Sequence, residues 1–231
     1  MAPFRIVLVR PRNPENLGAV ARVMRNFGLE DWAIVSLGTH DFATARRVAV
    51  HAEELLDRPR LCRTLDEAVA DCAWVVGTSA RRGAELRLSP AEVAAEALGA
   101  RRAGTTAVVF GEERSGLTAA ELERCHALSS IPASAAQPSL NLAQAVLVYA
   151  YELARAPAGA PPSARRALAT DGELQGVEES LRALLRGGGF LAGPERHAVR
   201  DLAAVLRRAA PSRREARLWE TALRAVARRL T

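Results

Sequence analysis

The chain has 231 residues, 32 of them basic and 26 acidic, with 49% hydrophobic and only 4% aromatic. This leaves room for one sizeable domain plus a smaller one, excludes wholesale disorder, and offers no apolar run near the ~20 residues that cross a bilayer. Every cation is arginine, residues 1–155 are charge-neutral, and the whole excess of +6 falls in residues 156–231, pointing to a polyanionic partner met partly through the C-terminal segment.

The N-terminus runs from Met1-Ala2-Pro3-Phe4-Arg5 straight into Ile6-Val7-Leu8-Val9, without a signal-peptide pattern, so a cytoplasmic protein with no membrane partner is expected. Strands are predicted at Arg5–Val9, Trp32–Leu37, Ala73–Gly77, Thr105–Phe110 and Ala127–Ile131, with helices near 16–28, 65–71, 90–100, 118–125 and 139–155. The alternation, with strands that are short apolar runs, predicts an α/β fold: a parallel sheet with helices on both faces. Cys62, Cys72 and Cys125 form no C-x-x-C pair, which argues against a disulfide framework and against a metal site. Residues 156–169, rich in Pro, Ala and Gly, read as a linker between a domain at 1–155 and a small basic helical domain at 170–231. In the latter, Thr170-x-x-Glu173 and Ser212-x-x-Glu215 are capping boxes, Pro194 suits a helix start, and Gly187-Gly188-Gly189 a helix end. Leu218, Trp219, Ala222, Leu223, Val226 and Leu230 form one apolar stripe of the last helix.

Ligands of open parallel sheets bind outside the carboxyl ends of the strands, so the loops that follow strands carry the functional signal. The first, Arg10 to Asn16, enters a helix whose apolar arc is Leu17, Val20, Ala21, Val23, Met24 and Phe27. Gly18 and Arg22 stack on the other face, where the glycine leaves room for a ligand or a backbone and the guanidinium opposes the helix dipole. The second, Thr78-Ser79-Ala80-Arg81-Arg82-Gly83, offers hydroxyls and cations. The third, Gly111 to Leu117, precedes the capping box Thr118-x-x-Glu121 with its staple of Leu117 on Leu122, so it is a free-standing loop. It is neither G-x-G-x-x-G nor a Walker sequence. The fourth runs from Pro132 to Asn141 into a helix that is almost wholly apolar from Leu140 to Tyr151, which predicts a subunit interface.

Asn16-x-Gly18-Ala19-Val20-Ala21-Arg22, Phe110-Gly111-x-Glu113-Arg114-x-Gly116-Leu117 and Ser139-Leu140-Asn141-Leu142-Ala143 resemble, in order and spacing, the three motifs of SPOUT RNA 2′-O-methyltransferases of the TrmH group. Within that group the likeness is greatest to the branch that methylates tRNA ribose at position 32 of the anticodon loop. The resemblance implies a C-terminal trefoil knot, a homodimer through the first helix and helix 139–155, tRNA as partner and S-adenosylmethionine as cofactor. By motif match the cofactor would be held by Thr78, Ser79, Ala80, Gly111, Ile131, Pro138, Ser139 and Leu140. Arg22, Ser139, Asn141 and Glu113 would be catalytic, and Arg10, Arg12, Arg81, Arg82 and Arg114 would contact RNA. Two alternatives share the fold: methylation of ribosomal RNA, and RNA binding without turnover.

Overall fold

The computed structural model describes residues 4–36, 42–81, 87–98, 104–156, 168–191 and 198–230. In chain order these form β1 (Phe4–Val9), α1 (Pro14–Asn26), β2 (Asp31–Val35), α2 (Phe42–Val48), a 3₁₀ turn (Glu53–Asp57), β3 (Arg60–Cys62), α3 (Leu65–Val69) and β4 (Cys72–Thr78). There follow α4 (Pro90–Leu98), β5 (Thr105–Phe110), α5 (Ala119–Glu123), β6 (Ala127–Ser129), α6 (Leu142–Arg155), α7 (Asp171–Gly187), α8 (Ala198–Ala209) and α9 (Arg213–Ala227).

The six strands make one sheet in the order β3-β2-β1-β5-β4-β6, and every pairing is parallel. Apolar side chains cover both faces. Ile6, Leu8, Trp32, Trp74 and Phe110 pack with α1, α4 and α6 on one side, while Val7, Val9, Val75 and Val109 pack with α3 on the other. That two-sided burial is why β1, β4 and β5 read as continuous apolar runs. Chain order reverses between β1 and β5, which are adjacent; such a switch point opens a crevice at the carboxyl ends of the strands.

Three elements were not legible as such. β3 is a three-residue edge strand with an exposed Leu61, and α2 and the 3₁₀ turn are too short to show a period. Gly18 also changes meaning. It is buried, and a Cβ there would overlap the Ala45 carbonyl oxygen and stand 3.0 Å from the Val48 Cβ. The glycine therefore admits the backbone next to α2, not a ligand, and does not share the exposed face of Arg22.

Thr170 and Ser212 cap α7 and α9 with complete capping boxes, and α7 ends at Gly187. Pro194 and most of the predicted linker lie outside the described residues. α7 docks on the sheet: the Gly172 amide donates to the Ala70 carbonyl, and Arg124 reaches both Asp66 and the buried Asp171. Arg207, 4% exposed, closes the cluster through Asp171 and Glu178. The apolar stripe of α9 is a correction. Ala216 and Leu223 make the seam against α7, whereas Leu218, Trp219, Val226 and Leu230 remain exposed. Among the described residues, no helix is long and apolar enough to cross a membrane.

Candidate functional site

The loops after β4, β5 and β6 wall one cavity of about 470 Å³, within the size range of cofactor and small-molecule pockets. Thr78, Ser79, Ala80, Gly111, Ile131, Pro138, Ser139 and Leu140, the eight residues expected to hold the cofactor, all line it. So do Glu113, Arg81 and Arg114. Thr78 turns its hydroxyl into the sheet, donating to the Val109 carbonyl at 2.9 Å, which fixes the β4 exit against β5. Gly111 follows β5 so closely beside the loop's return that a Cβ would overlap the backbone of Gly116 and Leu117, with the Gly116 carbonyl oxygen at 2.6 Å. The backbone amides and carbonyls of these loops, together with an apolar floor, suit a ligand with a flat heterocycle and a zwitterionic tail.

Part of that floor was not anticipated. Phe110, Leu142, Ala145 and Tyr149 line the cavity. Tyr149 meets Phe110 edge-on at 5.4 Å, and its hydroxyl lies 2.6 Å from Ser129 Oγ. Burial pushes the Tyr149 hydroxyl up to about 12, the Ser129 hydrogen bond opposing it, so the ring stays a neutral wall. The signal was present: Leu142, Ala145 and Tyr149 continue the third motif at helical spacing.

The loop after β1 does not wall the cavity; it braces the loop that does. The Glu113 carboxylate accepts from the Arg12 and Asn13 amides and, at 2.8 Å, from Asn16 Nδ2. Asn16 Oδ1 accepts in turn from Asn141 Nδ2 at 2.9 Å, while Asn141 Oδ1 caps α6 by accepting from Ala143 and Gln144. A carboxylate and two amides thus join the three motifs. Burial alone would raise the Glu113 pKa, but the hydrogen bonds from Asn16 and from the Arg12 and Asn13 amides bring it below the ordinary carboxylate range. Asn16, buried at the first turn of α1, is the residue that sequence reasoning quoted without assigning a role. Its replacement by alanine removes one donor from the half-buried Glu113 carboxylate and one acceptor from the exposed Asn141 amide, at about 1 kcal/mol per hydrogen bond. The variant is expected to melt several degrees lower; an unchanged thermal midpoint would show the bridge to be idle.

The expected RNA-facing arginines divide. Arg10 is bound through both terminal nitrogens to Glu121, and Arg12 pairs with Glu112 at 2.8 Å, so the charge of both is matched within the chain. The Arg81 guanidinium donates to the Ser115 carbonyl, and neither it nor Arg114 has an ion-pair partner among the described residues. Arg82 lies outside the described residues. Arg22 projects from α1 into solvent, has no hydrogen-bond or ion-pair partner among the described residues, and does not line the cavity of its own chain.

The fold and the cavity define a class first: an open, all-parallel α/β protein with a ligand site built from strand-end loops beside its topological switch point. The family follows from sequence. Residues 3–151 match the SpoU rRNA Methylase family, and the chain belongs to it. The tRNA (cytidine-2′-O-)-methyltransferase TrmJ of Methanocaldococcus jannaschii is 39% identical over 153 residues, covering 64% of this chain and 66% of that protein. The tRNA (cytidine/uridine-2′-O-)-methyltransferase TrmJ of Klebsiella pneumoniae is 40% identical over 152 residues, covering 65% of this chain and 62% of that one. The match therefore spans just under two thirds of the length of these relatives. The crystal structure of TrmJ from Z. mobilis ZM4 superimposes with a TM-score of 0.85 at 30% identity, over 96% of this chain and 98% of that one.

Proposed function

We propose that the chain is an S-adenosylmethionine-dependent RNA methyltransferase that methylates tRNA at a ribose 2′-hydroxyl, position 32 of the anticodon loop. The observation that carries this reading is the cavity of about 470 Å³ walled by three strand-end loops, joined by the Glu113–Asn16–Asn141 bridge to the helix that bears Arg22. Membership of a methylase family and relatives named as tRNA 2′-O-methyltransferases support it.

S-adenosylmethionine, when bound, supplies an electrophilic methyl group on a sulfonium. Thr78, Ser79, Ala80, Gly111, Ile131, Pro138, Ser139 and Leu140, which line the cavity, would hold it, with Tyr149 as the floor. Arg22 is not the base, because a guanidinium has no acceptor lone pair and stays protonated. It would bind the phosphate beside the target ribose and orient the 2′-hydroxyl for attack. Glu113 is a weak proton acceptor, since its oxygens are occupied by three donors and its pKa is lowered. Ser139, exposed on the cavity wall with no hydrogen-bond partner among the described residues, accepts a hydrogen bond from the 2′-hydroxyl and passes its own proton to water as the 2′-proton arrives, so that the proton ends on solvent and the serine is unchanged.

In this reading, residues 1–155 are the methyltransferase domain with a C-terminal trefoil knot, 156–169 are a linker, and residues 170–231 are a basic helical domain. Two chains pair through α1 and α6. One face of α6 is buried in its own chain, while Leu147 and Tyr151 on the other are 41% and 50% exposed, Tyr151 packing edge-on with Phe27 of α1. That pairing leaves Arg22 at the boundary between the two copies. The test is incubation with labelled S-adenosylmethionine and separate pools of tRNA and ribosomal RNA, followed by mapping of the methylated ribose. Label in tRNA at position 32 is expected. Label confined to ribosomal RNA would reassign the substrate, and calorimetry without cofactor binding would leave an RNA-binding protein without turnover.

A further inference from the structure

A second cavity, of about 390 Å³, is lined by Ala80, Arg81 and Arg87 together with residues between Ser130 and Pro138. It shares Ala80, Arg81, Ser130, Ile131 and Pro138 with the first, so the two are contiguous. We propose that it seats a phosphate of the RNA strand next to the nucleotide being methylated, with Arg87 as its anchor. The inference rests on the RNA-methyltransferase reading and extends it to substrate contacts.

Charge carries the argument. The charged groups among its described lining residues are Arg81 and Arg87, with no carboxylate. Both guanidiniums are anchored to neutral backbone: Arg81 Nη2 donates to the Ser115 carbonyl at 2.7 Å and Arg87 Nη1 to the Ser79 carbonyl at 3.1 Å. Among the described residues their positive charge is therefore unmatched, unlike that of Arg10 and Arg12, which face Glu121 and Glu112. Arg87 Nε is buried and has no acceptor among the described residues. Buried donors without partners are rare and call for one, and an oxyanion supplies both the acceptor and the countercharge. The rest of the wall, including Pro132, Ala133 and Ala135, consists mostly of small apolar side chains without donors. It accommodates the hydrocarbon face of a ribose and directs the anionic end of a ligand to the guanidiniums. The cofactor's own carboxylate has the same oxyanion chemistry, and the experiment separates the two sources.

Arg87→Met and Arg87→Lys are compared with wild type by fluorescence anisotropy on tRNA at several salt concentrations and by calorimetry with S-adenosylmethionine. Arg87→Met is expected to weaken tRNA binding about tenfold and to reduce the slope of log K against log salt by about 1. Cofactor affinity should stay within threefold of wild type. Arg87→Lys, which keeps the charge but not the planar fork, should restore the slope and only part of the affinity. Unchanged tRNA affinity and slope in Arg87→Met would overturn the proposal. So would a cofactor affinity lowered more than tenfold while a decarboxylated cofactor analogue binds wild type and variant alike, which assigns the cavity to the cofactor carboxylate. If Arg87→Met does not fold, an Arg87→Lys slope below wild type overturns the proposal as well. The RNA-methyltransferase reading fails by a different result, tRNA bound by wild type with no methyl transferred, which leaves the salt slope readable.

Discussion

Replacing Arg22 by alanine is expected to slow methyl transfer at least ~100-fold, with cofactor affinity within threefold of wild type and an unchanged thermal midpoint. The size follows from the role. A group that aligns the attacking oxygen contributes through geometry, and misplacement by about 1 Å costs ~100-fold. The clean separation from stability follows from the structure. Arg22 is exposed and has no partner among the described residues, so its truncation leaves no buried group unpaired. Surface changes of that kind stay within about 0.5 kcal/mol. Arg22→Lys should recover only part of the rate, because an ammonium presents a point charge where the guanidinium offers a bidentate fork to phosphate. Transfer within threefold of wild type in Arg22→Ala, measured with saturating tRNA and cofactor, would remove Arg22 from the mechanism. Loss of cooperative unfolding would show instead that the residue is structural.

The sheet was legible because its strands are buried on both faces: β1, β4 and β5 each present a continuous apolar run. The capping boxes at Thr118, Thr170 and Ser212 were legible because they are local chemistry, four residues long. What escaped depends on tertiary neighbours. Gly18 looks like a helix defect until α2 is laid against it, and Asn16 looks like an ordinary first-turn residue until Glu113 and Asn141 arrive from distant loops. Arg10 and Arg12 look like nucleic-acid contacts in a list of cations; only the fold pairs them with Glu121 and Glu112. The α9 stripe shows the converse. Its period is helical and amphipathic, yet period alone does not say which part of an apolar arc meets the neighbouring helix, and here Ala216 and Leu223 meet it while Trp219 does not.

Gly111→Ala tests the cavity without touching a charge. The φ of Gly111 is not in the left-handed region, so the obstacle is steric: the new methyl would overlap the Gly116 and Leu117 backbone, which has no flexible end to yield. The loop must move as a body, for it is closed on itself by the Gly116 amide donating to the Glu112 carbonyl at 2.8 Å. That movement carries with it the Glu113 carboxylate that holds the start of α1 and the Ser115 carbonyl that holds Arg81. Both the cavity wall and its brace are therefore displaced together. Cofactor affinity, read by calorimetry, is expected to fall at least ~100-fold, the scale of a binding or catalytic constellation misplaced by about 1 Å. Gly116→Ala is the control on the same loop. Its φ of 68° is left-handed and its Cβ position has nothing within 4 Å, so the penalty is the backbone strain of about 1–2 kcal/mol rather than a clash. That corresponds to a loss of about tenfold if all of it fell on the bound state. Equal losses in the two variants would mean that loop conformation alone matters, and retention of binding within threefold in Gly111→Ala would mean that this loop does not shape the cofactor site.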